Sequence, residues 1–246
     1  MIVTEPEVSR LRLSSLDLIE HAGCICYDSK PGKPEESIPR WIKDGHLSVI
    51  EHTRVIVWTD ARTEASNLAL ENQFLRLSAT SGSPGQRGQG TLLSGNCRTW
   101  LEAFQSCAGE LVFHIWELLS AEIPVIFANA RPKWNRDGFR LLGHTVRLVQ
   151  PSFEEMRRID KYIPEYHLAR HAAASFEIVC SRAVSHELVR HRLFSFSQRS
   201  QRYVDESEPS CYLPPDFAAL PGLKKEYGLY MDQVWSMYRS LRDDGW

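Results

Sequence analysis

Apolar positions along the chain fall into helical and strand rhythms that divide it into elements. Between residues 8 and 45, Leu11, Leu16, Leu18 and Ile19, and then Ile38, Trp41 and Ile42, recur at helical spacing on either side of the loop Asp28–Glu35. Gly45 closes the second run, so two helices are predicted there. Thr53–Thr59 is continuous and β-branched and predicts a strand, followed by a helix around Ala65–Leu77. Asn96 is a natural N-cap for a helix over 97–121, whose Leu101, Phe104, Ala108, Leu111, Ile115 and Leu119 form a core-facing stripe. Leu141–Gln150 and Ser175–Ser181 predict strands, the second alternating as a half-buried strand does, and a short helical turn over Val184–Leu188 comes next. Leu223, Tyr227, Tyr230, Val234, Tyr238 and Leu241 step by threes and fours and predict one long amphipathic helix. Ser81–Gly90 gathers four of the fourteen glycines and reads as a flexible loop; without a following Gly-Lys-Ser/Thr it is not a phosphate-binding P-loop.

At 246 residues and 28.2 kDa the chain allows one large domain or two small ones. No clear linker separates autonomous halves, and 128–140 is the best boundary. Hydrophobic residues at 43% and charged residues at 24% exclude a disordered or fibrous chain. With 29 basic against 31 acidic residues, a formal net charge of −2, nothing global favours nucleic acid or an anionic membrane. Any anion site must therefore be local. The apolar stretch Ile123–Ala130 is far short of the ~20 residues that a bilayer crossing needs. The N-terminus has no basic segment leading into an apolar one, so a cytoplasmic location is expected, with neither membrane nor nucleic acid as partner. Six cysteines without a CxxC pair read as reduced core thiols. His167 and His171 lack the carboxylate of an HExxH pattern, so no metal site is assigned. Lys133–Leu142 interleaves basic and aromatic residues, which a turn before a strand explains as well as a nucleic-acid surface does.

Chemistry concentrates between Arg182 and Arg202, where five arginines stand with a single glutamate. Arginine forks suit phosphate oxygens, and Ser195, Ser197, Gln198 and Ser200 add uncharged donors and acceptors that can read a base or sugar. A nucleotide fits this grouping. The competing reading is a solvated basic loop paired with acids elsewhere; the interleaved Phe194 and Phe196 argue against it.

Arg190-His191-Arg192, seven residues and then Ser200, with Gln201-Arg202-Tyr203 following, resembles the RHR-x7-S signature of the flavin-dependent thymidylate synthases. Gly45-His46-Leu47-Ser48-Val49-Ile50-Glu51-His52 is similar to a second element of that family, which also precedes a strand there. The stretch Pro209–Pro215 and the helix 223–242 resemble the family's segments after the signature, so the resemblance covers about a third of the chain. It implies an α/β (α+β) fold with a central, mainly antiparallel sheet flanked by helices. It further implies a homotetramer that binds FAD at subunit interfaces. Such an enzyme methylates dUMP to dTMP with methylenetetrahydrofolate, taking reducing equivalents from NADPH. By position, His46, Ser48, Glu51, Arg190, His191, Arg192, Ser197 and Gln198 would hold FAD. Glu187, Arg190, Gln198, Arg199, Ser200 and Arg202 would surround dUMP. Ser200 and Arg202 carry the catalytic assignment: Arg202 pairs the phosphate and Ser200 positions the pyrimidine. A nucleophilic role for Ser200 is the weaker reading, because no base and orienting group are recognisable beside it. The resemblance requires no protein nucleophile, and arginines can instead stabilise charge that builds on the ring.

The sequence departs from the family pattern in four places. A long segment separates His52 from Arg190, Glu187 stands where a glutamine is common, and Ser197 replaces a common asparagine. Family members continue past the long helix to an Asn-x-Arg element, whereas this sequence stops at Trp246 and carries a similar Asn96-Cys97-Arg98 segment earlier, with Cys107 near the place of a late substrate arginine. Two explanations stand together: a plain insertion, or an internal duplication. In the second, 1–128 is a helical lead-in and degenerate copy, 129–150 a connection, and 151–246 the signature-bearing copy lacking its C-terminal element. The alternative to synthase activity is a catalytically impaired flavin- or nucleotide-binding homologue; a nucleic-acid-binding module is a third.

Overall fold

The structure is a computed structural model and describes residues 2–80, 90–132, 144–161, 163–202, 204 and 210–245. In chain order its elements begin with β1 (Ile2–Thr4), β2 (Glu7–Leu11), α1 (Ser15–Tyr27), α2 (Pro34–Lys43), a 3-10 helix (Leu47–His52) and β3 (Arg54–Thr59). There follow α3 (Arg62–Glu71), β4 (Arg76–Thr80), β5 (Gly90–Asn96), α4 (Cys97–Ser106), α5 (Glu110–Glu122), α6 (Pro124–Phe127) and β6 (Val146–Val149). The last are α7 (Phe153–Ile159), α8 (Glu165–His171), β7 (Ser175–Val179), α9 (Arg182–Leu188), β8 (Ser210–Tyr212), α10 (Pro215–Ala218) and α11 (Pro221–Asp243). The expected fold class is observed: antiparallel sheet flanked by helices.

The chain divides into two compact units, one comprising Leu13–Gly23 with Lys30–Ala173, the other Met1–Arg12, Cys24–Ser29 and Ala174–Trp246. The first is built on a four-stranded antiparallel sheet of order β4-β5-β3-β6. Its β-branched β3 lies inside that sheet, buried from Val55 onward, as a strand flanked on both faces must be. Ile56 and Trp58 of β3, Leu92 of β5 and Val149 of β6 form one core with Met156, Ile163 and Leu168. The Arg147 guanidinium lies 4.2 Å from the Trp58 ring centroid, a cation–π contact within the sheet. Trp100, Phe104 and Phe127 make a second apolar body, with successive ring centroids 6.2 and 5.8 Å apart. Gly23 is required by packing: a Cβ there would stand 2.2 Å from the Trp41 indole of α2.

Several predicted boundaries shift. Leu11 is not helical but ends β2, whose residues pair with β7 from Glu7↔Val179 to Leu11↔Ser175; the long-range ladder overrides a local helical spacing. The helix expected to reach Leu77 stops at Glu71, and Leu77 lies in β4 opposite Leu93. The helix expected over 97–121 is two, because Gly109 at φ 134 breaks the backbone between α4 and α5. Its Asn96 cap is as expected, with Oδ1 accepting from the Thr99 amide at 2.8 Å. Gly45, at φ 77, follows α2 in the left-handed conformation expected of a helix terminator. The predicted strands at Thr53–Thr59 and Ser175–Ser181 appear as β3 and β7, and the strand over Leu141–Gln150 as β6, its first three positions outside the described residues. The loop at Ser81–Gly90 lies outside them except for Gly90, as do Tyr203, Pro209 and the boundary from 133 onward.

In the second unit, β2 and β7 form one antiparallel ribbon and β1 and β8 a parallel pair. The predicted long helix is α11, held by Tyr227, whose hydroxyl donates to the Tyr212 carbonyl at 3.0 Å and whose ring packs on Phe217. None of α9, α10 and α11 carries a buried residue. Among the described residues no helix is long and apolar enough to cross a membrane. All six cysteines are unpaired, and five are buried.

Candidate functional site

The arginine-rich segment comes after a strand, a tight turn and a short helix. Ser181 caps α9 by accepting from the Val184 amide at 3.3 Å, and the chain then leaves the helix through successive turns, with the Arg190, His191 and Phe194 amides donating to Glu187, Leu188 and His191 carbonyls. Residues 190–194 are exposed, whereas 195–200 are half-buried and belong to no helix or strand. A hollow of about 330 Å³, open to solvent, is lined by Ala183, Val184, Glu187, Leu188 and His191. Leu193 and Phe194 stand 91% and 68% exposed beside the signature arginines, where a solvated loop has no use for them.

The five arginines are not equivalent. Arg190 reaches Glu187 at 3.2 Å, an exposed pair of little energetic weight. Arg199 reaches Asp28 at 2.9 Å, and Arg182 donates to the Arg199 carbonyl at 3.2 Å. Among the described residues, Arg182, Arg192 and Arg202 have no carboxylate partner; Arg182 is engaged by a backbone carbonyl, which leaves the Arg192 and Arg202 guanidinium groups open to a ligand. Gln198 Nε2 donates to the Ser185 hydroxyl at 3.0 Å. Ser200 Oγ accepts from the Arg202 amide at 3.1 Å, and no imidazole or carboxylate is bonded to it among the described residues. Among the described residues, a hydroxyl so placed has no base to ionise it.

Sequence reasoning missed the residues that hold this loop. The Ser200 amide donates to the Cys26 carbonyl at 3.1 Å, and the Cys26 thiol is hydrogen-bonded to the Ser197 side chain and the Gln198 backbone. Burial raises the Cys26 pKa, against the lowering effect of those two bonds, so the thiol is protonated and unreactive at neutral pH. Cys24-x-Cys26 and Asp28 are visible in the sequence, but no local rhythm connects them with positions 171 residues away.

The other motif lies in the first unit. His46 precedes the 3-10 helix that carries Ser48 and Glu51. All three are half-buried, and burial lowers the His46 pKa, which keeps its imidazole neutral at pH 7. Glu51 accepts from Arg98 Nη1 at 2.8 Å, while Arg98 Nε donates to Glu102 at 2.8 Å. The Asn96-x-Arg98 segment thus meets the Gly-His element through the Glu51 carboxylate. His46, Ser48 and Glu51 belong to one unit, and Glu187, Arg190, His191, Arg192, Ser197, Gln198, Arg199, Ser200 and Arg202 to the other.

Residues 144–246 match the family described as thymidylate synthase complementing protein. The flavin-dependent thymidylate synthase of Nitratidesulfovibrio vulgaris is 44% identical over 73 residues, 29% of this chain and 30% of that protein. The enzyme of the same description from Mycobacterium avium is 38% identical over 80 residues, 32% of each chain. A probable flavin-dependent thymidylate synthase of Mycobacterium phage D29 is 52% identical over 52 residues, 21% of this chain and 22% of that protein. The chain spans less than a third of the length of each of these relatives.

Proposed function

We propose that this chain, whose residues 144–246 match the family of thymidylate synthase complementing proteins, is an FAD-dependent enzyme that reductively methylates dUMP to dTMP. Methylenetetrahydrofolate is the carbon donor and NADPH the reductant. The observation that carries the reading is the state of the signature loop: Arg192 and Arg202 without acid partners among the described residues, beside a half-buried wall of Ser195, Ser197, Gln198 and Ser200. Unpaired guanidinium forks take phosphate oxygens in bidentate fashion, and the serine and glutamine groups supply the directional bonds that a pyrimidine edge needs.

The residues fit a flavin dinucleotide. Arg190, His191 and Arg192 are exposed donors suited to a diphosphate, and Leu193 and Phe194 offer apolar surface to a planar ring. Ser197 and Gln198, and His46, Ser48 and Glu51, complete the assigned flavin contacts. When bound, FAD supplies the hydride chemistry. The chain's own residues do the rest: Arg202 binds the dUMP phosphate, Ser200 and Gln198 orient the base, and Arg190 and Arg199 offset negative charge on the ring. A homotetramer in the cytoplasm, with the signature-bearing region at 151–246, belongs to the same reading.

One observation favours a second reading, a flavin- and nucleotide-binding homologue with little turnover. Glu51 is engaged by Arg98 and Glu187 by Arg190, so two assigned ligand contacts already have protein partners. A single experiment separates the readings. The protein is incubated with FAD, desalted, and its visible spectrum recorded with and without dUMP, followed by a dTMP assay with methylenetetrahydrofolate and NADPH. A retained flavin band that shifts with dUMP, with dTMP formed, is expected. Binding without product indicates the impaired homologue, and a colourless protein overturns both.

A further inference from the structure

The end of α1 departs from what helix termination alone favours. The Ser29 amide donates to the Cys24 carbonyl at 3.1 Å and the Asp28 amide to the Ile25 carbonyl at 3.4 Å, the two bonds of a Schellman motif. The residue between them must be left-handed, a position for glycine or asparagine. Here it is Asp28, at φ 50, alone among the described non-glycine residues in having a positive φ. A carboxylate held in a conformation that glycine adopts without strain calls for a second role.

The contacts of this turn supply that role. Cys26 and Asp28 together bind four consecutive residues of the signature loop: Ser197 and Gln198 through the Cys26 thiol, Arg199 through the Asp28 carboxylate at 2.9 Å, and Ser200 through the Cys26 carbonyl at 3.1 Å. The loop has no ladder of its own to fix it. On its other side, Arg182 holds the Arg199 carbonyl and Ser185 the Gln198 amide. We propose that Asp28 is a positioning residue, whose left-handed turn clamps Arg199 and thereby sets the geometry of the loop segment Ser197–Ser200. The clamp rests on the proposed function only in what it serves, a nucleotide anion.

The test uses Asp28→Gly, which keeps the left-handed turn free of strain and removes only the carboxylate. A residue that merely terminates a helix is replaced there with no loss, and the thermal midpoint is expected to hold or rise. If Asp28 clamps the loop, trypsin cleavage after Arg199 accelerates about tenfold or more, because cleavage follows the population of the opened segment. Asp28→Asn, which retains an acceptor oxygen and the turn preference, gives an intermediate rate. Unchanged cleavage, or acceleration that merely tracks a fall in thermal midpoint, overturns the clamp. The second readout is dUMP affinity from the shift of the flavin spectrum, expected to weaken about tenfold in Asp28→Gly. Equal affinity in variant and parent overturns positioning, whereas a parent that binds no dUMP while cleavage responds to Asp28→Gly places the fault with the functional reading alone.

Discussion

Replacing His171 with glutamine should remove about 2 kcal/mol of the acid sensitivity of the first unit between pH 7 and pH 5. His171 is fully buried, and its Nδ1 shares a 2.8 Å hydrogen bond with the Ser94 hydroxyl, which also accepts from Arg54 Nη2 at 3.0 Å. Its Nε2 is buried without a partner among the described residues, so an added proton meets no acceptor. Burial first, and then Arg54, Arg170 and His167, lower its pKa from 6.5 to about 4. The folded state therefore binds fewer protons than the unfolded chain between these values. Stability is complete above the unfolded pKa and is lost as pH falls through the window toward the folded one. The two pKa values give a loss of about 2 kcal/mol at pH 5 and about 3 kcal/mol below pH 4. Urea unfolding at pH 7 and pH 5, followed by tryptophan fluorescence, reads this directly, since Trp58 lies in the core that α8 completes through Leu168. With a slope of about 2 kcal/mol per molar urea, the parent's midpoint should fall by about 1 M more than that of His171→Gln. His46 and His52, also lowered by burial, add the same sign to both proteins and cancel in the comparison. Equal midpoint changes in parent and variant would refute the reasoning.

Arg202→Ala should weaken dUMP binding by about 2–3 kcal/mol, the value of a charged hydrogen-bonding partner, while flavin retention after desalting is unchanged; equal dUMP affinity removes the phosphate assignment. Gly23→Ala places a methyl 2.2 Å from Trp41; an overpacking cost of about 1–3 kcal/mol exceeds the helix-propensity gain of about 1 kcal/mol, so the thermal midpoint falls, and a rise would show that Trp41 relaxes freely. Asn96→Ala removes the acceptor of both the Thr99 amide and its hydroxyl, and calorimetry should register a loss of about 1 kcal/mol.

Local rules suffice where local forces decide. The Asn96 cap, the Gly45 terminator and the β-branched strand Arg54–Thr59 each depend on neighbours within a few positions, and each is legible in the sequence. Leu11 and Leu77 are not, because their strand pairing is with partners far along the chain. The site shows the same division. The arginine cluster and its serines are visible as a candidate anion site through residue type alone, whereas the Cys26 and Asp28 contacts exist only once the end of α1 and the loop are brought together. Charge counting also overstates the site, since two of the five guanidinium groups are engaged by carboxylates.

The distance between the two motifs, open in the sequence between insertion and duplication, meets a geometric parallel. β3 ends at Thr59 and α3 begins at Arg62; β7 ends at Val179 and α9 begins at Arg182. In both, the arginine that opens the helix donates to a backbone carbonyl farther along the chain: Arg62 to Thr80 at 2.6 Å, 18 residues on, and Arg182 to Arg199 at 3.2 Å, 17 residues on. A duplicated unit would reproduce such a strand, turn, helix and tether, and a plain insertion would not require them. The two strands differ in the part each serves. β3 is buried and its following helix leads to an edge strand, while β7 alternates and its helix leads to the arginine loop. The buried β3 fills its faces with core residues, whereas the loop that follows α9 keeps its arginines exposed or half-buried and takes its order from side-chain contacts such as Arg199 with Asp28.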